Sequence, residues 1–201
     1  YNSDLGDAWV EHHPIGVLMA VEPWNFPYYQ LMRVLAPNLA AGNPIIVKHA
    51  SIVPHCAEIF EQLVREAGAP EGAYTNLFIS SDQVSNIIAD DRVQGVALTG
   101  SETAGSAVAA QAAKKLKKAT LELGGNDVFV VLDDSDLDKA VKVGVTARLQ
   151  NAGQVCTAAK RFIVQESIAD KFLEKYTDAF RQVKIGDPMD ESTTLGPLSS
   201  K

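Results

Sequence analysis

Apolar and polar positions follow two rhythms along this chain. Residues 15–21 form a short, almost wholly apolar run that predicts a buried strand, and 28–41 then switch to helical spacing, ending at Gly42. Pro37 falls inside that helix and is expected to kink or split it, because proline lacks the N–H and crowds the preceding turn. A second strand is predicted over 44–48. Pro54 then opens a helix reaching Gly68, with proline in the first turn and glycine past the end. A third strand over 74–79 leads into a helix at 82–89. A fourth over 93–98 leads into a long Ala-rich helix, capped by Ser101 and running to about 116. Strands at 120–123 and 128–132 follow. Ser135-Asp136-Leu137-Asp138 reads as a capping box, with Asp where Glu is usual, for a helix to about 150. A strand at 161–165 and a helix opened by Ser167-Ile168-Ala169-Asp170, to about 183, complete the pattern.

Strands alternating with helices of this length predict an α/β fold: βαβ units and a doubly wound parallel sheet with helices on both faces. In such a sheet ligands sit beyond the carboxyl ends of the strands. Gly124-Gly125-Asn126 is the natural hinge, which divides the chain into domains over 1–123 and 124–201. The 201 residues, 46% hydrophobic and 21% charged, suit a globular protein with a sizeable core. A net charge of -7 argues against a nucleic-acid surface. The one dense basic run, Lys114-Lys115-Leu116-Lys117-Lys118, reads as the solvated end of a helix. The apolar run at 17–21 is too short to cross a bilayer. Two distant cysteines make no disulfide framework, so reduced thiols and a cytoplasmic setting are expected. No metal site is expected.

Chemistry enters at four strand ends and one loop. Pro23-Trp24-Asn25-Phe26-Pro27 pins an amide donor between two prolines, suited to an oxyanion hole or simply a rigid aromatic turn. Lys48 ends the second strand, within reach of a nucleotide or on the surface; His49 and His55 read as surface or helix-capping residues. Thr99-Gly100-Ser101 precedes a helix, where free N–H groups hold phosphate, and its spacing fits neither a Walker motif nor GxGxxG. Glu122 lies between Leu121 and Leu123, flanks expected to raise a carboxyl pKa by desolvation and so suit a general base, unless it points to solvent. In Gln150-Asn151-Ala152-Gly153-Gln154-Val155-Cys156, the cysteine is either a small core side chain or a nucleophile. Lys160 and Arg161 follow within two helical turns and supply the positive charge a thiolate needs.

In this order the motifs resemble the NAD(P)-dependent aldehyde dehydrogenase superfamily across essentially the whole chain: Pro-Trp-Asn-Phe-Pro at 23–27, Lys48, Thr-Gly-Ser at 99–101, Glu-Leu-Gly-Gly-Asn at 122–126 and Gly-Gln-Val-Cys at 153–156. The resemblance implies a Rossmann-like cofactor domain followed by the start of a second α/β catalytic domain. It implies Cys156 as nucleophile, Asn25 with the Cys156 N–H holding the oxyanion, and Glu122 activating the water that hydrolyses the thioester. Lys48, Ser51, Thr99, Gly100, Ser101, Trp24 and Gly124 would bind NAD or NADP. Cys56, on the apolar-patterned helix, matches no family motif.

Within the superfamily the chain is most similar to succinate-semialdehyde dehydrogenases. Arg33, eight residues after Asn25, matches a position that grips the substrate's distal carboxylate. Some relatives keep a second arginine six residues before the nucleophile, where this chain has Gln150, consistent with a broader semialdehyde range. Ser51 replaces a glutamate that NAD-preferring relatives place three residues after the lysine, so NADP is expected to be accepted. Family members extend beyond both ends, and Tyr1 and Lys201 read as cuts through a longer product that forms homo-oligomers. The expectation is therefore oxidation of an aldehyde such as succinate semialdehyde, with a non-catalytic truncated fragment as the alternative. A cysteine hydrolase is a further alternative, but His12, His13, His49 and His55 all lie in the first quarter of the chain.

Overall fold

The structure is a computed structural model that describes residues 2–200; Tyr1 and Lys201, read above as cut ends, lie outside the described residues. The chain forms two compact units, the first ending at Leu123 and the second beginning at Gly124.

In the first unit a small hairpin, β1 (Asn2–Ser3) with β2 (Gly6–Asp7), precedes a five-stranded sheet. Its strands are β3 (Val17–Glu22), β4 (Ile45–His49), β5 (Tyr74–Asn76), β6 (Val93–Thr99) and β7 (Lys118–Glu122). They are all parallel, in the order β5-β4-β3-β6-β7. The connecting helices are α1 (Pro27–Ala40), α2 (Pro54–Glu66), α3 (Ser81–Ala89) and α4 (Glu102–Lys114). The strand order reverses between β3 and β6, whose outgoing chains therefore part to opposite sides and open a crevice at the carboxyl edge.

Burial on both faces explains the continuous apolar runs of the strands. Met19, Val96 and Leu98 pack with Ile88 of α3 and Val108 and Ala112 of α4. On the other face Ala20, Ile45 and Val47 pack with Leu31 and Leu35 of α1 and Phe60 of α2. Here α1 and α2 leave part of β6 and β7 uncovered, and a cleft of about 300 Å³ remains.

The second unit is a βαβ crossover with a further helix: β8 (Val128–Val131), α5 (Leu137–Leu149), β9 (Arg161–Val164) and α6 (Glu166–Arg181). β8 and β9 pair in parallel, and Val131, Val141 and Phe172 form the core beside Phe129, Phe162 and Tyr176. The opposite face of the pair is bare: Val128, Val130 and Ile163 are exposed. Among the described residues, no helix is long and apolar enough to cross a membrane.

Several local expectations are corrected. α1 runs through Pro37 as one helix, because that residue lies in the last turn, where the lost N–H is the only interior bond forfeited. β5 stops at Asn76, three residues short of the apolar pattern. The cap of α5 is Asp136, which accepts from Lys139 N at 3.1 Å, while Ser135 Oγ accepts from Leu132 N. α6 starts at Glu166 with no side-chain cap, not at Ser167. The basic run is not wholly solvated: Lys117 Nζ donates to the Ile88 and Asp90 carbonyls at 2.6 and 2.5 Å, capping the end of α3.

Helix α4 ends in a Schellman motif, with Leu116 N donating to Ala113 O and Lys117 N to Ala112 O, both 3.0 Å. The same pair of bonds ends α1 and α2, where Gly42 and Gly68 take the left-handed position at φ +87°. In α4 that position falls to Leu116, at φ 54°, whose side chain is 96% exposed. A branched residue there costs about 1–2 kcal/mol, and it buries nothing in return. Leu116→Gly is expected to stabilise the first unit by about 0.5–1 kcal/mol after the added entropy of the unfolded glycine. Both tryptophans, Trp9 and Trp24, lie in this unit, so a denaturant titration of tryptophan fluorescence reads the shift; an unchanged or lower midpoint would refute it.

Candidate active site

The carboxyl edge of the five-stranded sheet collects most of the polar residues singled out from the sequence. Trp24 and Asn25 follow β3 directly and are half-buried. Lys48, half-buried, pairs in register with Val21, and Ser51 is exposed in the turn leading to α2. Thr99 ends β6, and Gly100 N donates to Glu122 O at 2.9 Å, tying the turn to the end of β7. Ser101 is the N-cap of α4, its Oγ accepting from Ala104 N at 3.2 Å. The loop after β3 thus carries Asn25 and the turn after β6 the capped N-terminus of α4; in this fold class a helix N-terminus beside the switch point is where a pyrophosphate lies.

The register sets a polar row. Glu22 pairs with His49, Val21 with Leu98, and Thr99 with Glu122. Continuing the β3–β6 register by one residue places Glu22 beside Thr99, so His49, Glu22, Thr99 and Glu122 stand at one level on four adjacent strands.

Within this row the carboxylates differ from the sequence expectation. Glu122 is not desolvated by its leucine neighbours: its side chain is 51% exposed and Oε1 lies 2.9 Å from Arg33 Nη2. Strand neighbours point to opposite faces. Leu121 and Leu123 accordingly pack on the α3–α4 side, while Glu122 faces the cleft beside α1. The desolvated carboxylate is Glu22, only 3% exposed, with Oε2 buried and lacking a hydrogen-bond partner. Burial pushes its pKa up to about 8, against the opposing effects of the Thr99 hydroxyl bond and the Arg33 charge. The sequence signal for Glu22 was a carboxylate closing an otherwise apolar buried run, just before a proline, which reads most simply as a strand stop.

His49 is buried rather than superficial. In the neutral ring Nδ1 lies 2.9 Å from Ala50 N and 3.1 Å from Glu22 O, and Nε2 lies 3.1 Å from Pro27 O. Burial lowers its pKa, favouring this neutral form. Both ring nitrogens are thereby engaged by backbone, leaving His49 no free nitrogen to serve a thiol as base. Cys56, half-buried on α2, hydrogen-bonds to Tyr28.

Gly124, Gln150 and Cys156 belong to the second unit. The chain from 150 to 160 is not helical beyond a single 3-10 turn, Gln150–Gly153. Asn151, Ala152 and Gly153 take left-handed φ values of 50°, 56° and 77° in succession, a conformation strained for the alanine. A Cβ at Gly153 would meet the movable end of Arg148 at 2.6 Å and the Arg148 carbonyl at 3.1 Å, a tight fit, and the φ of +77° is what favours glycine there. Cys156 is half-buried. Lys160 Nζ donates to the Val155, Cys156 and Ala158 carbonyls, at 3.2, 2.5 and 3.2 Å, bracing the loop that carries the thiol. Arg161 Nε donates to Asn126 O at 3.2 Å, so both cations serve the backbone first. The Gly-Gly-Asn segment is adjacent: a Cβ built on Gly125 would lie 3.3 Å from Cys156 O. Lys160 N and Arg161 N both donate to Asp127 O, which puts the cysteine loop at the amino edge of the β8–β9 pair. The carboxyl-edge rule that located the other motifs did not anticipate this position.

The chain is 50% identical over 198 residues to a probable succinate-semialdehyde dehydrogenase [NADP(+)] of Synechocystis, covering 98% of this chain and 44% of that one. It is 51% identical over 196 residues to the succinate-semialdehyde dehydrogenase [NADP(+)] of Deinococcus radiodurans, covering 98% and 41%. The solved structure of succinic semialdehyde dehydrogenase from Streptococcus pyogenes in complex with NADP+ superposes with a TM-score of 0.91 at 61% identity, over 94% of this chain and 41% of that one. This chain therefore spans less than half the length of these relatives. The aldehyde dehydrogenase family matches residues 3–201, and the chain belongs to that family.

Proposed function

We propose that this chain carries the cofactor site and the nucleophile of an NADP-accepting succinate-semialdehyde dehydrogenase. The observation that carries this reading is the placement of Asn25, Lys48 and Thr99–Gly100–Ser101 around the switch point between β3 and β6, where a dinucleotide lies in this fold class. The residues present fit such a cofactor. The N-terminus of α4 follows the Gly100 turn, and the β4–α2 turn, 50–53, contains no carboxylate to repel a 2′-phosphate. Lys48 and Ser51 would hold the adenine ribose and its phosphate, Gly100 and Ser101 the pyrophosphate, with Trp24 and Gly124 completing the site. When bound, the nicotinamide accepts the hydride.

The chain's own groups do the rest. The Cys156 thiolate attacks the aldehyde carbon, and the Asn25 amide with the Cys156 N–H stabilises the oxyanion that forms. Collapse of that oxyanion with loss of hydride leaves a thioester on Cys156. Glu122 takes a proton from water, whose oxygen displaces the thiolate and releases the acid. Arg33 pairs with the distal carboxylate of the substrate, and Gln150, uncharged, leaves that end less selective. The same reading takes the protein as a cytoplasmic homo-oligomer. A second reading, a non-catalytic partial module, is favoured by the bare apolar face of the β8–β9 pair, which promotes self-association.

The purified chain is mixed with succinate semialdehyde and either NADP or NAD, and the absorbance of the reduced nicotinamide is followed. Turnover is expected with NADP and its loss in Cys156→Ala; a folded chain with no turnover and no nucleotide binding supports the partial module instead. Arg33→Gln is expected to raise KM for the semialdehyde roughly 10- to 100-fold, the worth of one charged bidentate pair, and to spare an uncharged aliphatic aldehyde. Equal losses with both aldehydes would count against a carboxylate-binding role. Ser51→Glu is expected to weaken NADP in a nucleotide titration by roughly tenfold while NAD is unaffected.

A further inference from the structure

We propose that Glu22 is a positioning residue that competes with Glu122 for the Arg33 guanidinium, so that the charge on Glu22 decides whether Glu122 is tied or free. The proposal rests on the reading above, in which Arg33 must be available to substrate and Glu122 to water. In the structure those two groups neutralise each other at 2.9 Å, an arrangement in which neither is ready to act.

The geometry supplies a third partner. Glu22, Arg33 and Glu122 line one cleft of about 300 Å³, with Thr99 and Gln30 between and beside them. Adjacent strands lie about 4.8 Å apart, so Glu22 and Glu122 stand roughly 10 Å apart at the backbone with Thr99 between. Arg33, from α1, is long and 43% exposed, free to change partners without disturbing the core. Glu22 is nine-tenths buried with an unpartnered oxygen, and Gln30 Oε1, also buried, is unpartnered too. An uncharged Glu22 makes no claim on the guanidinium. An ionised one is an anion in a poorly hydrated place, where pairing with a cation is worth far more than at the half-exposed Glu122.

Every element around Glu22 contributes to its charge. Arg33 of α1 and the Thr99 hydroxyl of β6 favour the anion, and Glu122 of β7 opposes it. Burial favours the neutral form of His49 of β4, whose Nδ1 lies 3.1 Å from Glu22 O; Tyr74 of β5 is pushed up by burial first and then by the Glu61 and Glu22 charges; Lys118 of β7 lines the same cleft. Exchange of Arg33 between the carboxylates is therefore expected near the pH where Glu22 titrates, about 8.

The test uses the 201-residue chain with isotope-labelled glutamate carboxyl carbons, followed by NMR from about pH 5 to about pH 10. The Glu122 signal is expected to show an inflection where Glu22 titrates. Arg33→Gln should raise the Glu22 midpoint and Glu122→Gln should lower it, since one removes an attractive charge and the other a repulsive one. A Glu122 signal flat through the Glu22 transition overturns the proposal. So does an inflection undiminished in Arg33→Gln, because the carboxylates would then sense each other without the guanidinium.

Glu22→Gln mimics the neutral acid. A raised carboxyl pKa makes wild-type stability fall as pH climbs from the unfolded value of 4.5 towards about 8, and this loss should vanish in the variant. In turnover, wild type should gain kcat at saturating semialdehyde across the Glu22 transition, because Glu122 is released, while KM rises, because Arg33 is drawn from the substrate; Glu22→Gln should lack both changes, and a variant that keeps them refutes the positioning role. If the chain never reduces NADP but passes the NMR tests, the dehydrogenase reading fails and the exchange of Arg33 stands.

Discussion

Parallel register is the constraint on which the first unit's chemistry depends. All five strands run one way, so every strand deposits its last side chains on one edge, and the register decides which of them stand level. A slip of one residue between β6 and β7 would turn Glu122 into the α3–α4 core and bring Leu121 or Leu123 into the cleft. Burial of the apolar positions on both faces forbids that slip. The hydrophobic core thereby fixes the polar row, although none of its residues touches it chemically.

Relative magnitudes then assign the carboxylates. An ion pair as exposed as Arg33–Glu122 contributes at most about 1 kcal/mol, whereas an uncompensated charge at the depth of Glu22 costs several. The exposed carboxylate is consequently weakly held, and burial keeps the proton on the other up to about pH 8. A weak pair suits two groups that must each be released for other work. A strong one in the same place would hold Glu122 and Arg33 together, against the separate roles proposed for them.

The elements and their order were legible because strand and helix periods differ and because proline and glycine mark their ends. The motifs were legible because they follow strands directly. Which face a side chain takes was harder to read. Leu121 and Leu123 sit beside Glu122 in sequence yet pack on the opposite side of the sheet, so proximity along the chain misassigned the desolvation. Glu22 escaped notice because neither a motif nor a periodic pattern marks it; its burial comes from α1 folding back over β3. Lys117 looked like one of four equivalent lysines, and only the approach of the α3 terminus distinguishes it.

The thiol loop obeys a different logic from the strand-end row. Cys156 is held by neither strand nor helix, but by a left-handed run through Ala152 and a lysine that collects three backbone carbonyls. Left-handed alanine is costly, and its persistence requires that the surroundings over-determine it. Gln154 Nε2 donating to Asn151 O and Lys160 bonding across the loop supply that determination. Lys160 thus fixes the direction of the Cys156 carbonyl and, through the peptide plane, the frame from which the thiol projects, while its Nζ stands 3.8 Å from Asp127 Oδ2. Sequence position suggested that this lysine activates the sulfur by charge. Its geometry gives it a second part as well, the brace that sets the loop's shape.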